Sequence, residues 1–208
     1  MATTLLLARH GHIDWSGRIG AVEDGLSRLG RLQAQALARH LARYRVGAIH
    51  SSDLRRATET AAAIGQALRL PVRPEPALRE HNLGAWQGQR QEEVRRRYRQ
   101  RWARLEAGDP DYAPPGGETL RDLQRRAVDA FGRILSAAHP GQTVLAVSHG
   151  GLLAAYICHV LDVAFEGAVP IVIDNCSLTV VEGGNNGLVL ASFNGVSHLE
   201  GLPAAGEA

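Results

Sequence analysis

The sequence predicts an α/β fold: a three-layer α/β/α sandwich with a mostly parallel central sheet and one antiparallel edge hairpin strand. Three observations carry that prediction. Short apolar runs at residues 5–8, 46–50 and 143–147 each stop at a cluster of polar and small residues, with a helix-compatible segment beyond. Strands that alternate with helices build parallel sheets covered on both faces. Near the C-terminus two β-rich runs, residues 177–181 and 188–193, flank Gly183-Gly184-Asn185-Asn186-Gly187, which reads as a hairpin. At 208 residues and 45% hydrophobic content, the chain is expected to form one domain with its own core.

Each element follows from local chemistry. Leu5-Leu6-Leu7-Ala8 is bounded by the N-terminus and by Gly11, as a short, fully buried strand is. A polar loop with Asp14, Trp15, Ser16 and Arg18 comes next. Ser27 is placed as N-cap of the first helix, since its hydroxyl suits an orphan N–H of the first turn; Leu29, Leu32 and Ala36 mark the buried stripe. The second strand stops at Ser51-Ser52-Asp53, three good capping residues in a row. A helix is expected from there, with Arg56 in its first turn and Ala57, Ala61, Ile64 and Leu68 facing inward. Pro71-Val72-Arg73-Pro74 fits an edge strand, because proline donates no ladder hydrogen bond.

Residues 89–105 are helix-compatible and carry seven arginines, with Trp86, Tyr98 and Trp102 interleaved. A solvated helical face over aromatic anchors explains this better than a nucleic-acid patch. Residues 108–117 read as loop. Thr119 with Asp122 makes a capping box for a helix through Leu120, Leu123, Ala127, Phe131 and Ile134, broken by Pro140-Gly141. Residues 143–147 are the clearest strand, and Ser148-His149-Gly150-Gly151 leads directly into an apolar helix through Leu152, Tyr156 and Val160.

Composition narrows the function. A formal net charge of +2 is too small to argue for nucleic acid. No lysine occurs, so all 23 basic side chains are arginine. That excludes a Walker-type phosphate loop, Schiff-base catalysis and a kinase-type lysine. Cys158 and Cys176 have neither metal-ligand spacing nor the number for a disulfide framework, and read as buried small hydrophobes in a reducing compartment. Three leucines before Arg9 are too short for a secretory apolar core. Residues 145–172 are interrupted by His149, His159, Asp162 and Glu166, so no membrane span is expected and a cytoplasmic protein is.

Taken singly, Arg9, Arg56, Glu80 and His149 are more often ion-paired, solvated or capping residues than site residues. Their weight is positional. Arg9-His10-Gly11, Ser51-Ser52 with Arg56, and Ser148-His149-Gly150 all stand just past strands, and the carboxyl ends of parallel strands lie along the edge where ligands bind. Two arginines, two histidines and a helix N-terminus then share one crevice, a concentration of positive potential suited to a phosphate dianion. His40, His50, His139, His159 and His198 have no such placement and are read as structural.

With those residues on the page, the chain resembles the histidine phosphatase superfamily, in its phosphoglycerate mutase-like branch. The likeness runs through L-L-A-R-H-G at the start, S-S-D-L-R-R-A-T-E-T-A at residues 51–61 and L-R-E-H-N-L-G-A-W-Q-G at 78–88. It continues in P-P-G-G-E-T at 114–119, V-S-H-G-G at 147–151 and N-C-S at 175–177. The resemblance implies that His10 attacks phosphorus and becomes a phosphohistidine. It implies that Arg9, Arg56 and His149, with Gly11 and Gly150, hold the phosphate oxygens, and that Glu80 protonates the leaving group and then activates water. No metal or cofactor is implied.

The chain departs from the family run R-H-G-E-T-x-W-N, having Arg9-His10-Gly11-His12-Ile13-Asp14-Trp15-Ser16. His12, Ser16, Arg18 and His81 are therefore the candidates for substrate specificity, and a cationic His12 would favour a second anionic group. Residues 81–118 are expected to form a loop and helix cap over the site. The expected activity is hydrolysis of a small phosphorylated metabolite by a monomer or homodimer, with no nucleic-acid or membrane partner. A cofactor-dependent phosphoglycerate mutase and a non-catalytic phospho-ligand-binding relative are the alternatives.

Overall fold

Six strands and six helices appear in a computed structural model, which describes residues 3–20, 24–166, 171–184 and 187–204. In chain order these are β1 (Thr4–Arg9), α1 (Arg28–Leu41), β2 (Val46–Ser51), α2 (Arg55–Leu68) and β3 (Val72–Pro74). Then come α3 (Gln91–Arg97), α4 (Arg99–Glu106), α5 (Leu120–Ala137), β4 (Thr143–Ser148), α6 (Gly150–Val160), β5 (Leu178–Gly184) and β6 (Gly187–Gly195).

The sheet order is β3-β2-β4-β1-β5-β6. Strands β1, β2, β3 and β4 run parallel, while β5 opposes β1 and forms a hairpin with β6. The expected antiparallel hairpin thus closes one edge of the sheet, with β5 the reversed strand and β6 outermost. The tip residues Asn185 and Asn186 lie outside the described residues.

Period-two alternation in β1 explains the three layers. Leu5 and Leu7 pack with Phe131 of α5 and Tyr156 of α6 on one face. Leu6 and Ala8 pack with Leu37 of α1 and Ile64 of α2 on the other. A strand buried on both faces reads as an unbroken apolar run, as the sequence does. The registers Arg9↔Ser148 and Ser51↔Val147 bring the carboxyl ends of β1, β4 and β2 side by side.

Most local signals act where they are read. Ser27 caps α1 by accepting the Gly30 N–H, and Thr119 and Asp122 exchange both bonds of the capping box. Leu32 and Leu68 are only half-buried; Ala34, Leu37 and Leu41 complete the inner stripe of α1. Two readings are corrected. Helix α2 begins at Arg55 behind Leu54, with no side-chain cap, because Ser52 and Asp53 bond elsewhere. Residues 89–105 form two helices, parted where Tyr98 leaves helical geometry (φ −119°, ψ 41°) with its ring stacked on Trp86. Trp86, Val94, Trp102 and Tyr112 close with Ile19 into a third small apolar cluster, beneath largely exposed arginines. Cys158 and Cys176 are buried and free, and no described helix is long and apolar enough to cross a membrane.

Candidate active site

His10 stands one residue past β1 and is only 4% exposed. Its backbone N–H continues the ladder onto the Ser148 carbonyl at 3.0 Å. The ring Nδ1 lies 2.8 Å from the Gly11 carbonyl oxygen. A carbonyl only accepts, so Nδ1 carries the proton and Nε2 keeps its lone pair. Arg56 agrees from the other side, donating Nε–H to that lone pair at 3.2 Å. Burial, and then the Arg56 and Arg9 guanidinium groups with His12, hold the imidazole down to about 3, against the Gly11 bond that favours its charged form. His10 is therefore a neutral imidazole with one defined tautomer.

His149 caps α6 and is fully buried, its ring centroid 5.1 Å from that of His10. Burial, followed by His10, Arg56 and Arg9, holds it well below the ordinary histidine value. Its Nε2 lies 2.8 Å from Ser52 Oγ, and Ser52 also accepts the Leu54 N–H. The capping hydroxyl that the sequence offered to α2 thus orients a site histidine instead. His149 Nδ1 is buried without a hydrogen-bond partner among the described residues, as is Arg9 Nε. Arg9 anchors one amino group on the Ile173 carbonyl at 2.6 Å. Burial lowers the guanidinium pKa of Arg9 and of Arg56, with Glu80 the largest opposing charge for both. Two unpartnered polar atoms so deep in the fold would each cost about 1–3 kcal/mol without a ligand.

Glu80 reaches the same crevice from the loop after β3. Its Oε2 accepts the Gly151 N–H at 3.0 Å, and Oε1 accepts those of Leu152 (3.2 Å) and His81 (2.9 Å). The carboxylate thus sits on the first turn of α6, where the helix dipole favours negative charge. Glycine at 151 leaves room for this carboxylate, since a Cβ would come within 2.5 Å of Glu80 Oε1 and displace it. The Gly150 N–H has no partner among the described residues and remains open to an anion.

Gly11 contributes differently from expectation. Its N–H is taken by Thr60 Oγ1 at 3.0 Å, so what it offers is the carbonyl that holds His10, and a close approach in which a Cβ would meet the Gly30 oxygen at 2.6 Å. Asn175 secures the His10 carbonyl through Nδ2 at 2.9 Å, and the Cys176 N–H secures that of Arg9 at 3.0 Å.

A cleft of about 320 Å³ meets the site at Arg56 and Glu80 and is lined further by His81, Asn82, Gln87 and Arg126 among others, while Arg9, His10 and His149 lie outside its lining, buried behind Arg56 and Glu80. Arg126 braces the wall, donating to the carbonyls of Ala77, Arg79 and Glu80 and to the Glu118 carboxylate. Arg79 is held by both oxygens of Asp53, each at 2.6 Å. His81 lines the cleft as expected, its Nε2 2.9 Å from the Glu118 carbonyl. Three other specificity candidates are not brought to the lining. His12 Nδ1 lies 2.8 Å from Ser27 Oγ, clipping the loop to α1. Ser16 is exposed and bonds Asp24, and Arg18 donates to the Gly88 carbonyl at 2.7 Å. Sequence reasoning missed Ser52, Thr60, Asn175 and Arg126 as supports. Only the position of Thr60, one turn after Arg56, hinted at such work.

A neutral, oriented imidazole flanked by arginines at strand ends is an arrangement suited to an anionic substrate. The chain belongs to the histidine phosphatase superfamily (branch 1), whose match covers residues 5–195. It is similar to the metal-independent phosphoserine phosphatase of Arabidopsis thaliana, 32% identical over 96% of this chain and 84% of that one. It also resembles the glucosyl-3-phosphoglycerate phosphatase of Mycobacterium tuberculosis, 36% identical over 74% of this chain and 73% of the other. Among solved structures, Bacillus stearothermophilus YhfR superposes with a TM-score of 0.88 at 32% identity, covering 95% of this chain and all of that one. The protein is a phosphomonoester hydrolase of this superfamily.

Proposed function

We propose that hydrolysis runs through a phosphoenzyme on His10. The observation that carries this reading is the pairing of a neutral Nε2 lone pair with unpartnered buried groups, Arg9 Nε and His149 Nδ1, beside it. On substrate arrival the Arg56 N–H leaves Nε2 for a phosphate oxygen. Nε2 then attacks phosphorus and the P–O bond to the leaving group breaks. Arg9, Arg56, His149 and the Gly150 N–H hold the equatorial oxygens, where charge spreads in a loose transition state. Glu80 enters this step as the carboxylic acid, having taken a proton from solvent, and gives that proton to the departing alkoxide, leaving the carboxylate. It next takes a proton from water, which attacks phosphorus, breaks the P–N bond and restores neutral His10. To move a proton, one Glu80 oxygen releases its backbone N–H.

The leaving group belongs to a small phosphate ester of a polyol or hydroxy acid. Asn82 and Gln87 offer neutral hydrogen bonds on the cleft wall beside His81, while Arg79 and Arg126 are already matched by Asp53 and Glu118. Phosphoserine and glucosyl-3-phosphoglycerate, named for the two relatives, both join a primary phosphate ester to a carboxylic acid. The test is His10→Ala, expected to cut kcat at least about 10⁴-fold. It goes with a rapid alkaline quench of the parent, expected to trap an acid-labile phosphoryl group on His10. A His10→Ala protein with full activity would refute the mechanism. With 3-phosphoglycerate as substrate, 2-phosphoglycerate appearing faster than free phosphate would replace the hydrolase by a mutase. A panel of phosphate esters ranked by kcat/KM identifies the leaving group.

A further inference from the structure

A second cavity, of about 120 Å³, opens where the end of α1, strands β5 and β6, and the turn Ser197–Leu199 meet; its polar lining is His40, Arg43, Tyr44, Ser192, Ser197 and His198. We propose that this cavity is a tetrahedral-oxyanion site, separate from the catalytic cleft, that takes inorganic phosphate. Its volume is about that of four waters in the liquid, room for one oxyanion.

The chemistry of the lining is one-sided. The imidazoles of His40 and His198 stand with centroids 4.6 Å apart. Arg43 donates to His40 Nε2 at 3.0 Å and to the Tyr44 hydroxyl at 3.5 Å, with its guanidinium 5.3 Å from the Tyr44 ring centroid. No carboxylate lies within ion-pair distance of Arg43 among the described residues. Arg43 shares this with other exposed arginines such as Arg45 and Arg73; what distinguishes it is the pair of imidazoles and the phenol hydroxyl beside it. An arginine donating to an imidazole lone pair is using a weak acceptor where a charged one would bind about twice as strongly.

The two histidines feel the same imbalance. Burial first, then Arg43 and His198, hold His40 below the ordinary imidazole value. Burial and Arg43 do so for His198, against its bond to the Cys176 carbonyl. An oxyanion reverses each of these charge effects. It accepts from Arg43, from the Ser192 and Ser197 hydroxyls and from protonated imidazole, and a metal cation is disfavoured by the guanidinium. The site also touches the catalytic framework: His198 Nε2 lies 2.9 Å from the Cys176 carbonyl, and the Cys176 N–H holds the Arg9 carbonyl.

The experiment is site-resolved NMR of the imidazole nitrogens of the full chain, titrated with inorganic phosphate and, separately, with sulfate. His10 reports the catalytic cleft in the same spectra. His40 and His198 are expected to shift together and saturably with either anion, and to titrate at higher pH when saturated. Arg43→Gln should weaken that response about tenfold, the loss of one charge-assisted contact, while leaving the His10 response unchanged. The proposal is overturned if His40 and His198 stay still at phosphate concentrations that saturate His10. It is equally overturned if sodium chloride at matched ionic strength moves them as far, or if Arg43→Gln responds like the parent.

Discussion

The floor and the wall of the catalytic cleft are built on opposite terms. The floor is Arg9, His10, Arg56, His149 and the first turn of α6, gathered near the ends of β1, β2 and β4, with His10, Arg56 and His149 nearly out of solvent. Its polar atoms are under-partnered, with Arg9 Nε and His149 Nδ1 left open. The wall is loop: residues 79–87 and 118, closed by Arg79–Asp53 and Arg126–Glu118 pairs that leave their own charges matched. On the mechanism proposed above, the unsatisfied floor would bind what every substrate shares, the phosphate, and the satisfied wall would discriminate by shape and neutral hydrogen bonds.

The sharpest way to break that division is to substitute the floor. His149→Ala and Arg9→Ala are each expected to lower kcat/KM by about 10²–10³-fold, and by the same factor for every phosphate ester tested. A loss that varies strongly between substrates would show the floor to be reading the leaving group as well. Glu80→Gln removes the transferable proton but keeps one acceptor oxygen, so it retains the backbone N–H bonds on one side of the group only. It should lower kcat about 10²–10⁴-fold for alkyl phosphates and much less for p-nitrophenyl phosphate, whose leaving group departs unprotonated. Equal losses on both esters would remove Glu80 from the acid role. EDTA should leave all these rates unchanged; a strict metal requirement would contradict a site whose charge is neutralised by arginine.

The floor was legible in the sequence because its residues are tied to strand ends. Arg9-His10-Gly11 and Ser148-His149-Gly150 each follow an apolar run that can only be a buried strand, and α/β topology then puts them together. Glu80 came from the resemblance of residues 78–88, not from periodicity, since no strand or helix carries it. Ser52 was misread for a good reason: Ser51-Ser52-Asp53 is a sound capping signal, and local pattern does not show that His149, 97 residues away, takes the hydroxyl. His12, Ser16 and Arg18 were read as specificity candidates from their nearness to the nucleophile in sequence, and each is bonded to a neighbouring loop or helix residue. The loop is tied to its neighbours by His12 on Ser27 and Arg18 on the Gly88 carbonyl, and it reaches the cleft lining at Gly20. Fold and chemistry are written in short-range pattern plus topology, whereas wall contacts depend on how loops meet.

Acid tests the floor without any substitution. His10 and His149 both have folded-state pKa values below the ordinary 6.5, His10 at about 3, chiefly through burial. Between those limits the unfolded chain binds more protons than the native one, so stability rises with pH. It is lost as pH falls below about 6.5, at up to ~1.4 kcal/mol per pH unit for each histidine. Denaturant midpoints measured from pH 7 to pH 4 should fall accordingly, and saturating phosphate should flatten the slope by favouring the charged imidazoles. A flat profile without ligand would mean that the histidines are not held neutral.

The wall gives the smallest effects and the finest test. Gln87 lines the cleft opposite the floor and packs near Gly20, where a Cβ would come within 3.3 Å of its amide nitrogen. Gln87→Ala removes one neutral hydrogen-bonding side chain and leaves the Arg126–Glu118 brace intact, so the fold and the floor should be untouched. One neutral hydrogen bond is worth about 0.5–1.5 kcal/mol, which converts to roughly a two- to tenfold change in kcat/KM. That change should fall on esters whose leaving group carries hydroxyl or carboxylate groups, and leave p-nitrophenyl phosphate as it was. If the ranking of the panel stays fixed while every rate drops, the side chain supports phosphate transfer instead, and the boundary between floor and wall lies further out than the hydrogen bonds place it.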